Sequence, residues 1–112
     1  MNVKDLTEWS ENHRIIERTR NGFVNYLENW KKDDRGDFFD TFRGKSNLKV
    51  IEPKFYSLQL THINGYSDFV YCNLVILYLG KDIGVYRMVF TLQGEVDEDA
   101  IHFVKYIDNT IY

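Results

Sequence analysis

The sequence predicts an α+β fold: a long N-terminal helix, with a short second helix, packed on a curved antiparallel sheet of about four strands. Three observations predict it. Apolar residues recur at steps of three and four through the first third of the chain. From Phe55 onward apolar and polar residues alternate, the signature of a half-buried strand. Glycine-containing turn signals separate the alternating runs.

The helix comes first. Leu6, Trp9, His13, Ile16, Arg20, Phe23, Leu27 and Trp30 form one stripe of a helix within residues 3–32. Gly22 weakens it by about 1 kcal/mol relative to alanine. Asn2 or Asp5 is suited to cap its start, and Lys31 and Lys32 suit the negative end of its dipole. Asp33, Asp34, Arg35 and Gly36 end it. The short second helix has Asp37 as cap, Phe38, Phe39 and Phe42 on one face, and Gly44 just past its end. Arg35-Gly36-Asp37 spells a tripeptide of cell-adhesion ligands, but three residues recur by chance and no export signal accompanies them.

The strands follow. Pro53 bars a regular central strand, so Leu48 to Ile51 reads as a short edge piece. Phe55 to Ile63, Phe69 to Leu79 and Val85 to Gln93 are the next strands, and Ile101 to Asp108 is either a fourth strand, the favoured reading, or part of a helix capped by Asp97. Asn64-Gly65 is the strongest hairpin signal, because a type I′ turn needs positive φ at both positions. A two-residue turn there sets Leu60 opposite Phe69 and Leu58 opposite Tyr71. Parity carried through the Gly80–Gly84 loop then puts Tyr56, Leu58, Leu60, His62, Phe69, Tyr71, Asn73, Val75, Leu77, Tyr86, Met88, Phe90 and Leu92 on the face under the helix. The outer face receives Ser57, Gln59, Thr61, Arg87 and Thr91, all polar. It also receives an apolar stripe, Val70, Cys72, Leu74, Ile76 and Tyr78, which reads as an interface for a homodimer.

Composition excludes several classes. The 112 residues make one domain, 1–112, with a net charge of −3 and an aromatic content of 16%. The longest apolar run, Leu74 to Leu79, is far too short for a bilayer span, and no signal peptide is visible, so no membrane partner is expected. A single cysteine, Cys72, forbids an internal disulfide and any cysteine-based zinc cluster, which suits a cytoplasmic location. Residues 1–54 carry 11 basic and 10 acidic groups, and Arg14, Arg18 and Arg20 alternate with Glu11 and Glu17. That is a solvated helix face and not a phosphate-tracking stripe, so no nucleic acid is expected.

No motif specifies a chemistry. His13, His62 and His102 match no metal spacing, and neither metal nor cofactor is expected. His62 with Tyr56, Tyr71, Asn73 and Tyr86 would line a mostly apolar ligand pocket, unless the tyrosines only send their hydroxyls to the sheet rim. Asp68 and Asp108 are the nearest carboxylates to act as a base there. Glu95, Asp97, Glu98 and Asp99 form an acidic patch in a solvated loop, or a docking patch for a basic protein partner.

The stretch Phe23-Val24-Asn25-Tyr26-Leu27-Glu28-Asn29-Trp30, followed by Asp33, Asp34, Phe38 and Phe39, resembles the opening of nuclear transport factor 2-like domains. Tyr86 to Glu95 with Gly94, then Phe103 to Asp108, resembles their last hairpin. A departure is the missing helix between the first two strands, which makes the simpler cystatin-like arrangement an equal alternative. The resemblance implies a helix on a curved sheet, and either a non-catalytic binding or dimerising module or an isomerase or dehydratase. The expected function is a small self-associating interaction module; the alternative is a small enzyme with its pocket between helix and sheet, open to a small apolar ligand.

Overall fold

In the computed structural model, which describes residues 1–34, 36 and 51–103, the chain begins with a capped helix. Helix α1, Val3–Asn12, starts with a capping box: the Asp5 amide donates to the Asn2 side chain at 2.8 Å, and the Asp5 carboxylate accepts from the Asn2 amide. The single long helix is divided at its middle. Arg14 adopts φ 52° and ψ 43°, and helix α2, Ile15–Asp33, starts after it. The cause is an anchor on α1. Trp9 donates its indole N–H to the Leu92 carbonyl at 2.8 Å, and the His13 ring lies against Gly94, where an added Cβ would collide with it. These contacts hold α1 at the end of the sheet, while α2 runs across it.

The break moves the buried stripe by one position. Ile15, Thr19, Phe23 and Leu27, each four residues apart, face the core, and Arg20 is exposed. The Thr19 hydroxyl donates to the Ile15 carbonyl at 2.7 Å, which lets a polar residue sit fully buried.

Four strands form one antiparallel meander in the order β1-β2-β3-β4: β1 Ile51–Thr61, β2 Phe69–Tyr78, β3 Lys81–Thr91 and β4 Val96–Phe103. β1 runs through Pro53, which an edge strand tolerates because its N–H is not needed. Three register shifts leave Tyr56, Ile83 and Asp97 unpaired, and such bulges bend and twist a sheet. β4 begins five positions before the expected fourth strand and is extended through Phe103, while residues 104–108 of that expected strand lie outside the described residues. Residues 104–112, the second helix at Asp37–Gly44 and the edge piece before Ile51 lie outside the described residues.

The turns differ from expectation in a way that decides the sheet's faces. Leu79 and Gly80, at φ 52° and 81°, form the two-residue turn of positive φ that Asn64-Gly65 was expected to make. Asn64-Gly65 instead sits inside the longer connection from Thr61 to Phe69, and Leu60 pairs with Val70, not Phe69. Beyond the bulge at Ile83, Cys72 pairs with Met88 and Leu74 with Tyr86. The expected faces hold for Leu58 and Leu60 of β1 and for Tyr86, Met88 and Phe90 of β3, while the bulge turns Tyr56 outward and Phe55 inward, and β2 is inverted, which carries Val75 and Leu77 to the outer face. Val70, Cys72, Leu74, Ile76 and Tyr78 have no solvent exposure, and all but Val70 belong to the core cluster with α2, so this stripe is core and not an outer interface.

Candidate functional site

Inverting β2 dissolves the expected pocket. Tyr86 remains under the helix, fully buried, with its ring edge-on to Phe23 and Tyr26. Tyr71 and Asn73 lie on the opposite face. Tyr56 is the bulged residue of β1 and 70% exposed. His62 sits in the β1–β2 connection, 71% exposed, 2.6 Å from Asp68, so one of the candidate bases is its partner on the surface. Asp108 lies outside the described residues. His13 stacks near Trp9 at 5.1 Å. Among the described residues no three His, Cys, Asp or Glu side chains gather as metal ligands, and no helix is long and apolar enough to cross a membrane.

The acidic patch is also divided. The β3–β4 turn closes at Thr91 and Glu95, and Asp97 is a bulge. Glu98 pairs with Val89 on the outer face. Asp99 projects to the helix side, where its Oδ2 accepts a 2.5 Å hydrogen bond from the Tyr86 hydroxyl. Burial first, then this bond to Asp99, raises the Tyr86 pKa well above the ordinary tyrosine value.

Asp99 borders a groove of about 800 Å³ between α2 and β4. Along α2 its wall is Gly22, Asn25, Tyr26, Asn29, Trp30 and Asp33, which share one helical face. Along β4 its wall is Asp99, Ile101 and Phe103, alternate residues of one strand face. Gly22 makes the approach possible: an added Cβ would collide with the Met88 methyl and come within 2.9 Å of the Tyr86 hydroxyl. Trp30 and Phe103 meet at 5.9 Å between ring centroids along its wall. Sequence reasoning missed this site because it assigned Asp99 to a loop. The signal available was the polar edge Asn25, Asn29 and Asp33 beside the aromatic positions Tyr26 and Trp30.

The outer face carries a second cluster. Asn73, 3% exposed, donates to the Ser57 hydroxyl at 2.9 Å and to the Gln59 carbonyl oxygen at 2.6 Å. Its own carbonyl oxygen accepts from Arg87 Nε at 2.8 Å, and the Arg87 guanidinium stacks on Tyr71 at 4.4 Å. Next to this network Val75 pairs with Val85, with Leu77 two residues along β2. Cys72, on the buried face, has its thiol pKa pushed up by burial, which makes it an inert core side chain.

These features define an α+β domain in which, among the described residues, both helices lie on one face of the sheet, with a lined groove between α2 and β4. No protein-family model, no curated protein and no solved structure matches the chain.

Proposed function

We propose that the domain is a non-enzymatic interaction module that self-associates, copy against copy, through the outer face of its sheet. The observation that carries this reading is the asymmetry of the sheet. The core cluster unites α2 with the inner face of all four strands, while the outer face meets neither described helix. That face presents Val75, Leu77 and Val85 beside an amide and guanidinium network. Around the apolar spot, Lys54 pairs with Val75, and Glu52 and Asp82 both pair with Leu77. Charges of both signs around an apolar centre suit a two-fold contact, in which one patch must complement itself. The resemblance to nuclear transport factor 2-like and cystatin-like domains supports the same arrangement, a helix on one sheet face with the other left for a partner. Sedimentation equilibrium tests it: a dimer at tens of micromolar is expected, and a strictly monomeric chain rejects the reading.

A second reading, a small isomerase or dehydratase of that kind, is favoured by Asp99, a carboxylate standing in the groove against a buried hydroxyl. It requires that the protein exchange the α-protons of a ketone probe with deuterated water, and that Asp99→Asn abolish the exchange.

A further inference from the structure

The groove between α2 and β4 has a charge pattern of its own. Its only ionisable side chains among the described residues, tyrosine aside, are Asp33 and Asp99; no lysine, arginine or histidine lines it. The two carboxylates stand at opposite ends. Asp99 is beside Gly22, since the Tyr86 hydroxyl bonded to it lies against that glycine. Asp33 is the last residue of α2, and the helix rises ~16 Å between Gly22 and Asp33. β4 runs alongside, bringing Phe103 to Trp30. Aromatic and aliphatic side chains, Tyr26, Trp30, Ile101 and Phe103, line the stretch between the two acids.

We propose that this groove binds a linear polyamine, with one terminal ammonium on Asp99, the other on Asp33, and the methylene chain along the aromatic wall. The chemistry fits each part. Asp99 has only Oδ2 committed to Tyr86 among the described residues, and Oδ1 remains to accept a charged N–H. The face of Tyr26 attracts cationic groups as well as methylenes. A volume of about 800 Å³ accommodates an extended chain of that length. Among the described residues, an anionic ligand would meet two carboxylates and no counter-charge. A single compact cation would satisfy one end only. The assignment does not depend on self-association or on turnover.

Calorimetric titration of spermine into the full chain is the test, at about 0.15 M salt to screen diffuse attraction. One spermine per chain is expected, with affinity reduced about tenfold by Asp99→Asn and about tenfold by Asp33→Asn, as loss of a charge-assisted hydrogen bond implies. Glu95→Gln, an exposed carboxylate away from the groove, should leave binding unchanged. Putrescine, too short to span both acids, should bind at least about tenfold more weakly. Absence of binding at millimolar spermine overturns the proposal. So does equal loss in Glu95→Gln, or equal affinity for putrescine, either of which would mean nonspecific attraction to an acidic protein. Should Asp99→Asn disturb folding through Tyr86, Asp33→Asn decides alone, because Asp33 is exposed at the helix end.

Discussion

The hydroxyl of Tyr86, a residue without solvent exposure, donates a 2.5 Å hydrogen bond to Asp99, whose side chain borders an open groove. A buried core aromatic thus ends on a charged group at the surface. The bond satisfies the hydroxyl and holds the ring edge-on to Phe23 and Tyr26.

High pH should destabilise the domain through this tyrosine. Burial, then the Asp99 carboxylate, raises its pKa in the folded state above the unfolded value of about 10. The folded state therefore keeps the proton when the unfolded chain has lost it. The stabilisation is complete below about pH 10 and declines above it, by up to about 1.4 kcal/mol per pH unit. Urea midpoints measured from neutral pH upward should fall more steeply for wild type than for Tyr86→Phe. Parallel curves for the two proteins would contradict this.

Close approach of α2 to the sheet depends on Gly22. Alanine there gains about 1 kcal/mol of helix propensity, but its Cβ meets the Met88 methyl and the Tyr86 hydroxyl. Met88 can move its flexible end; Tyr86 is tethered to Asp99. Overpacking costs about 1–3 kcal/mol, so Gly22→Ala should be net destabilising by roughly 1 kcal/mol. The loss should shrink in a Tyr86→Phe background, where the hydroxyl is gone. Thermal melts of the four proteins of this double-mutant cycle check it.

Much of the fold was legible because the faces of β1 and β3 follow from alternation alone. Leu58 and Leu60, like Tyr86, Met88 and Phe90, lie on the expected side. β2 was inverted by one residue in the first connection, where Leu60 pairs with Val70 and not Phe69, and the unforeseen bulge at Ile83 restores the parity by the time the chain is in β3. Asn64-Gly65 carries the turn composition, yet the tight turn falls at Leu79-Gly80, and the bulge at Ile83 shifts register again. Side-chain polarity held the correction: Asn73 belongs with Ser57, Gln59 and Arg87, which it bonds, and not with a core. The site was less legible. It depends on Asp99 pointing inward, and that follows from the bulge at Asp97, which no local pattern in Glu95 to Asp99 announces.

Leu79 occupies a left-handed conformation, φ 52°, that a non-glycine residue without a short polar side chain adopts at a cost of about 1 kcal/mol. It is 49% exposed, so little packing is lost on replacement. Asparagine is the favoured residue at the first position of this turn type. Leu79→Asn should therefore stabilise the domain by about 0.5–1 kcal/mol, read as a raised urea midpoint with unchanged slope. A lowered midpoint would mean that Leu79 contributes more by contact than it costs in backbone conformation.

Adjacent residues of β2 should separate folding from association. Ile76 has no exposure and packs in the core beneath α2, so Ile76→Asp buries an unpaired carboxylate and should unfold the domain. Val75 points the other way, onto the outer face opposite Val85 and Lys54. Val75→Asp places its charge at a half-buried position on that face, next to Lys54 of β1, and the domain should stay folded, with a loss of about 1–2 kcal/mol. In a dimer formed through that face the same carboxylate would be desolvated against its own two-fold copy. Association should then weaken by several kcal/mol, a shift of at least about a hundredfold in dissociation constant. Circular dichroism reports the folding of both variants, and sedimentation equilibrium reports their mass. A folded Val75→Asp that remains as dimeric as wild type would place the self-association surface elsewhere. A folded Ile76→Asp would overturn the buried orientation of β2 itself.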